Sequence, residues 1–165
     1  MKILIIGHAR HGKDTIAEMI RDNFGLEFQS SSQAAANIFI YDELKDKYGY
    51  ITPEECFADR VNHRAEWHDL ICGYNQFDKA RLAKDILLNA DMYVGMRSNA
   101  EVEECLDQGL FDLVIGVFNP HEALEPEDSF DIDMWEKADF VIPNAGGLED
   151  LQYKVMDIFN LIKIW

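Results

Sequence analysis

Residues 7–15, GHARHGKDT, follow the apolar run Ile3-Leu4-Ile5-Ile6 and precede Ile16-Ala17-Glu18-Met19-Ile20. A buried strand that passes through a glycine-bounded loop directly into a helix is the context a phosphate-binding loop requires. Gly7 and Gly12 let the backbone turn tightly. The amides between them, Arg10 included, then face anionic oxygens at a helix N-terminus, and Lys13 adds a point charge. The expected ligand is a nucleoside triphosphate. The G-x-x-x-x-G-K spacing is complete, but the usual Ser or Thr after the lysine is replaced by Asp14, with Thr15 one place later. The hydroxyl normally given to Mg²⁺ must then be replaced by the Asp14 carboxylate, by Thr15 or by water. An ordinary glycine turn at a helix start is the plainer alternative.

A chain of 165 residues, 48% of them hydrophobic, is about one domain with a full core. No stretch reaches the roughly 18 apolar residues of a membrane span, and the first apolar run is too short for a secretion signal, so a cytoplasmic protein is expected. Cys56, Cys72 and Cys105 lack metal-type spacing and are expected as buried, reduced thiols. Fifteen basic against 31 acidic residues give a net charge of −16. That field opposes a polynucleotide. Small anions remain possible, because a few local arginines and a helix N-terminus can hold them.

Along the chain, strand and helix alternate. Strands are expected at 3–6, 26–29, 91–95, 113–117 and 140–142, and helices after the loop at 33–48, from the Thr52-Pro53-Glu54-Glu55 capping box to about 72 with a bend before Arg60, and at 78–89, 99–108 and 148–162. Residues 119–137 read as polar, acidic and irregular. The expected fold is α/β, three-layered, with a mainly parallel five-stranded sheet flanked by helices. Ligands on such sheets bind beyond the carboxyl ends of the strands, which selects the loops at 7–15, 30–33, 96–99, 119–130 and 143–147.

Two cationic features stand out in so acidic a chain. Arg97 directly follows a buried strand, as a fork for phosphate oxygens or as an ion pair to Glu101 or Glu103. Arg60, Arg64 and Trp67 fall at i, i+4 and i+7, where two cations and an aromatic ring could meet a monophosphate and its base; surface pairing with Asp59, Glu66 and Asp69 is the alternative. Asn144 either lies beside a base or caps the closing helix. His63 and His68 face different sides and make no metal site, and no catalysis is assigned to His8 or His11.

The chain resembles the P-loop deoxynucleoside monophosphate kinases of tailed phages, within the wider nucleoside monophosphate kinase group. The resemblance rests on His11-Gly12-Lys13-Asp14-Thr15, on Asp42-Glu43-Leu44-Lys45, on Val94-Gly95-Met96-Arg97 with the helix after it, and on Ala138-Asp139-Phe140-Val141-Ile142-Pro143-Asn144 with Gly146-Gly147-Leu148-Glu149. It implies one kinase domain over 1–165, with a helical acceptor-binding insertion at about 33–90 and a short lid-like segment at about 119–137. It further implies transfer of the γ-phosphoryl group of ATP, with Mg²⁺, to a (deoxy)nucleoside 5′-monophosphate, in the host cytoplasm if phage-encoded. Lys13 and Arg97 would be catalytic. Gly7, Arg10, Gly12, Lys13, Asp14, Thr15 and Asn144 would hold ATP, Asp14 and Thr15 the metal, and Arg60, Arg64, Trp67 and Arg97 the acceptor. No nucleic-acid polymer or membrane is implied as partner, and the oligomeric state is open, a homodimer included. The expected lid, Asn119 to Asp133, contains His121 and no Arg or Lys, and Gly95 stands where a Mg²⁺-organising Asp is common. Charge stabilisation would therefore come from Arg10, Arg97, Arg60, Arg64 or the Lys79/Arg81 region. An ATP-binding protein without transferase activity, and a kinase acting on a modified base in DNA, are the alternatives.

Overall fold

Every residue of β1 (Ile3–Ile6) is buried, so this strand can only lie inside a sheet covered on both faces. In the computed structural model, which describes residues 1–162, β1 pairs in parallel with β3 (Met92–Val94) on one side and β4 (Leu113–Phe118) on the other. β2 (Phe28–Ser30) extends the sheet beyond β3 and β5 (Phe140–Pro143) beyond β4, again in parallel, for the order β2-β3-β1-β4-β5. All five strands therefore run the same way. Their carboxyl ends gather at one edge, and the chain switches sides of β1 there, the position where open parallel sheets bind ligands.

Strand side chains alternate between the two covering layers. Ile3, Ile5, Val94, Ile115 and Val117 pack under α1 (Lys13–Phe24) and α9 (Leu148–Ile162), where Phe24 stacks on Phe159 with ring centroids 4.1 Å apart. Leu4, Ile6, Tyr93 and Val114 face the other layer. That layer contains α2 (Ser31–Ala35), α3 (Tyr41–Tyr48), α4 (Pro53–Asp59), α5 (Arg64–Tyr74), α6 (Arg81–Leu87), α7 (Asn99–Asp107) and α8 (Met134–Lys137). Helices α2 to α6 all lie between β2 and β3 in sequence.

Local chemistry fixes several element ends. The Ser30 hydroxyl accepts from the Gln33 N–H (3.3 Å) and caps α2, and Thr52 Oγ1 accepts from the Glu55 N–H (3.2 Å), so the cap expected at Thr52 is made. The helix expected at 33–48 is real but interrupted: a π-helical turn, Ala36–Ile40, joins α2 to α3, with the Tyr41 N–H donating to the Ala36 carbonyl. The helix expected to run from 52 to about 72 breaks before Arg60, as expected: α4 stops at Asp59. A 3₁₀ turn, Arg60–Asn62, ends α4, and α5 restarts at Arg64. Cys56 and Cys105 are buried as expected, but Cys72 is exposed, with its sulfur 3.6 Å from His68 Nε2 on the outer face of α5. The buried face of α5 is set by Trp67, which leaves Cys72 on the solvent side. Among the described residues no helix is long and apolar enough to cross a membrane.

Candidate functional site

The loop after β1 is held open by its glycines. Gly7 has φ 149°, and a Cβ there would lie 2.5 Å from the Val117 carbonyl oxygen. Gly12 has φ 99°, and a Cβ there would meet the Asn144 side chain. These are positions only glycine fills without strain. Arg10, between them, is the one non-glycine described residue at positive φ (64°). A left-handed conformation costs an ordinary side chain on the order of 1 kcal/mol, and such strain concentrates at ligand-binding turns.

The loop amides are mostly free. The Ala9 N–H donates to Glu125 Oε2 (2.7 Å), and the His11 N–H makes a long contact to the His8 carbonyl (3.4 Å). The amides of Arg10, Gly12, Lys13, Asp14 and Thr15 have no protein acceptor among the described residues. Unpaired donors at the front of a twelve-residue helix are the arrangement that anion binding at a helix start uses. Lys13 Nζ donates to the His8 carbonyl (2.7 Å), which holds the ammonium over the loop. Burial and then Arg97 lower the Lys13 pKa to about 8, against opposing pulls from Asp14 and Glu125.

Arg97 reaches the same place from the end of β3. It pairs with neither Glu101 nor Glu103; its guanidinium meets the Glu125 carboxylate. Glu101 instead accepts from Asn75 (2.8 Å), and Glu103 pairs with Lys137 (2.9 Å). Asn144 takes a role that neither expectation described. Its Nδ2 donates to the His11 carbonyl (3.0 Å) and its N–H to the Phe118 carbonyl (2.7 Å), so it braces the phosphate loop from the β5 side.

The arginines of the helical segment are free of carboxylates. Asp59 accepts from Tyr50, Asn62 and His63, Glu66 from Lys47 and Tyr48, and Asp69 lies against His68. Arg60 instead donates to the Phe57 carbonyl (2.9 Å) and lies over the Phe57 ring. Its pKa is lowered by burial and by Arg64, and is pulled the other way by Asp14, which places Arg60 within electrostatic reach of the start of α1. Arg64 is exposed and makes no hydrogen bond or ion pair among the described residues. Trp67 does not share a surface with them. The 3₁₀ turn breaks the i, i+4, i+7 register, and Trp67 sits 4% exposed in the core with its indole N–H unpartnered. Arg81 is also elsewhere, stacked on Tyr74 with 3.9 Å to the ring centroid.

Asp14 is exposed and Thr15 half-buried in the first turn of α1, and neither side chain makes a hydrogen bond in the described structure. One free carboxylate and one free hydroxyl suit a cation that keeps much of its water and shares phosphate oxygens. No cluster of three or more His, Cys, Asp or Glu side chains among the described residues would bind a metal by itself.

Two solved structures are similar to this chain over nearly its whole length. Dephospho-CoA kinase from Campylobacter jejuni is 19% identical with a TM-score of 0.55, covering 98% of this chain and 96% of that one. Shikimate kinase from Aquifex aeolicus vf5 is 14% identical with a TM-score of 0.53, covering 99% of each. The chain has a P-loop kinase fold. No protein-family model matches it, and no curated protein matches it in sequence.

The structure adds site residues that the sequence reading passed over. His8 Nδ1 accepts from the Glu125 N–H (3.0 Å) and His11 Nδ1 from the Asn119 N–H (3.0 Å), so the variable positions of the loop grip the 119–137 segment. The His8 ring also packs on Phe130, 4.2 Å between centroids. Burial and the neighbouring His11 lower the His8 pKa, in keeping with a neutral ring that accepts at Nδ1. Glu125 had only its place in a strand-end loop to mark it. An acidic residue in an acidic loop has no spacing signature.

Proposed function

We propose that this protein is a kinase that transfers the γ-phosphoryl group of ATP to a small phosphorylated acceptor, a (deoxy)nucleoside 5′-monophosphate. The observation that carries the reading is the coincidence, at one sheet edge, of unpaired loop amides with three arginines. Two of the three are free of carboxylates in a chain of net charge −16. Unpaired cations amid surplus acid are a binding feature, since stability alone would pair them.

The donor triphosphate lies along the amides of residues 10–15 with Lys13 on its terminal phosphates. Asp14 and Thr15 are the residues that would hold Mg²⁺, which supplies charge neutralisation on the transferring group when bound. Arg97 stands between donor and acceptor. Its fork favours the charge that spreads over the phosphoryl oxygens during transfer. Arg60 lies within electrostatic reach of the start of α1, with Arg64 near it, and the two hold the acceptor phosphate. Asn144 acts through the loop, as a positioning residue, and Trp67 supports the helix from within. Catalysis of this kind is orientation and electrostatics, so a dedicated base is not required.

The test is release of ADP from MgATP with a panel of nucleoside and deoxynucleoside monophosphates, modified bases included. At least one acceptor should be turned over by the wild type and none by Lys13→Ala. Tight MgATP binding without turnover of any acceptor would favour the nucleotide-binding reading instead, and retention on DNA at moderate salt would favour a polymer substrate.

A further inference from the structure

The acidic segment after β4 does not stand away from the phosphate loop. It is docked there by its own carboxylate. Glu125 Oε2 accepts from the Ala9 N–H (2.7 Å), Glu125 Oε1 meets Arg97, and the His8 ring lies 4.0 Å from Oε2. The Glu125 side chain is 18% exposed. Burial works to raise its pKa, but the Ala9 N–H, the Arg97 hydrogen bond and charge, and the Lys13 charge outweigh this and hold it below the usual carboxylate value. One loop amide, one guanidinium fork and a nearby ammonium are the partners a phosphoryl group takes in such a site.

The rest of the segment is tied down around this contact. The Asn119 and Glu125 amides donate to His11 and His8. At its far end the Asp131 N–H donates to the Arg97 carbonyl (3.2 Å), and the Asp131 carboxylate accepts from the Asn99 N–H (2.6 Å). Arg10 lies 3.6 Å from Glu122. Each of these contacts joins residues 119–131 to the loop after β1 or the loop after β3. An acidic strap is thereby held across a site built for anions.

We propose that Glu125 is a built-in stand-in for a phosphoryl group. It takes the Ala9 N–H and Arg97 in this structure, and an incoming polyphosphate displaces it from both. The inference rests on the nucleotide-binding reading of this loop and adds its regulation. Two anions cannot share one amide and one guanidinium, so binding and strap release are linked. The apparent affinity for polyphosphate is then lower than the intrinsic one by the fraction of molecules with the strap released. Displacement also returns Arg97 from an internal ion pair to the reaction, so the arginine becomes available only when a donor is present.

The experiment is calorimetric titration of the whole protein with inorganic tripolyphosphate and, separately, with MgATP, at fixed salt. Glu125→Gln and Glu125→Ala should each bind tripolyphosphate roughly tenfold tighter than wild type, as when about one molecule in ten is open beforehand. Glu127→Gln removes the same charge two positions away on an exposed residue and should change affinity less than about twofold, because screening weakens a distant surface charge. Hydrogen exchange supplies the second readout: tripolyphosphate should speed exchange of the Asn119 and Glu125 amides in wild type. Equal or weaker binding by the Glu125 variants, the same gain in Glu127→Gln, or amides that stay protected when ligand is bound would each overturn the proposal. If wild type binds MgATP while the Glu125 variants gain nothing, only the strap is refuted. If neither wild type nor variants bind either ligand, the nucleotide reading falls with it.

Discussion

The two halves of the candidate site are built differently. On the donor side, backbone geometry is fixed at every turn: Gly7 and Gly12 at positive φ, Asn144 clamped to the His11 carbonyl, and Lys13 held on the His8 carbonyl. On the proposed acceptor side, Arg60 and Arg64 stand on a 3₁₀ turn and the first turn of a new helix, in a layer where another helical run is interrupted by a π turn. The first half is rigid by construction. The second carries its cations on short, interrupted helical elements, with Arg60 held only by the Phe57 carbonyl and ring. Preorganised groups act by exact placement, whereas cations that contribute chiefly charge act by raising affinity, so damage to the halves should read out in different constants.

The largest effect should come from Lys13→Ala, which removes the ammonium proposed to hold the donor phosphates and should lower the rate of ADP formation by roughly 10³ or more. A loss confined to the KM for ATP would break the comparison. Next, Gly7→Ala would push a methyl group against the Val117 carbonyl at a backbone angle alanine disfavours. It should cost about 2–3 kcal/mol in denaturant unfolding. Arg60→Ala and Arg64→Ala should each raise the acceptor KM roughly tenfold, the equivalent of one charge-assisted contact, and leave the KM for ATP unchanged. Equal effects on both substrates would mean that these arginines belong to the donor half.

Lys13 sharpens the comparison through pH. Its folded pKa of about 8 lies below its ordinary 10.5, so between those values the unfolded chain binds more protons than the folded one. Folding stability contributed by this group therefore rises with pH across that window. Polyphosphate affinity, which needs the ammonium, should fall over the same range, by up to roughly tenfold between pH 8 and 9.5. Opposite slopes in unfolding and in ligand titrations, both absent in Lys13→Ala, would identify the residue. The smallest effect is expected on the acceptor side. Gly73 is helical and a Cβ there meets nothing within 4 Å, so Gly73→Ala should stabilise the protein by about 0.5–1 kcal/mol, in contrast to Gly7→Ala.

What the sequence disclosed follows the same division. Strand and helix positions were legible because a fully buried parallel sheet writes short apolar runs, and the phosphate loop because its glycines, lysine and flanking elements lie within a few residues of one another. The cap at Thr52 was legible for the same reason. Features that depend on distant partners were not. The Arg60, Arg64 and Trp67 stripe assumed one continuous helix, and the 3₁₀ turn at Arg60–Asn62 rotated Trp67 into the core. Arg97 was marked by its place after a buried strand, yet its partner Glu125 is 28 residues away in an irregular segment. Asn144 was marked by its loop, but the bond it makes crosses 133 residues.

That last bond has a consequence for how the protein comes into being. Because Asn144 is made 133 residues after His11, a nascent chain that already carries the loop's glycines and lysine still lacks the side chain that braces it. The braced loop thus exists only once residue 144 has been made, and synthesis halted short of it yields the motif without its brace.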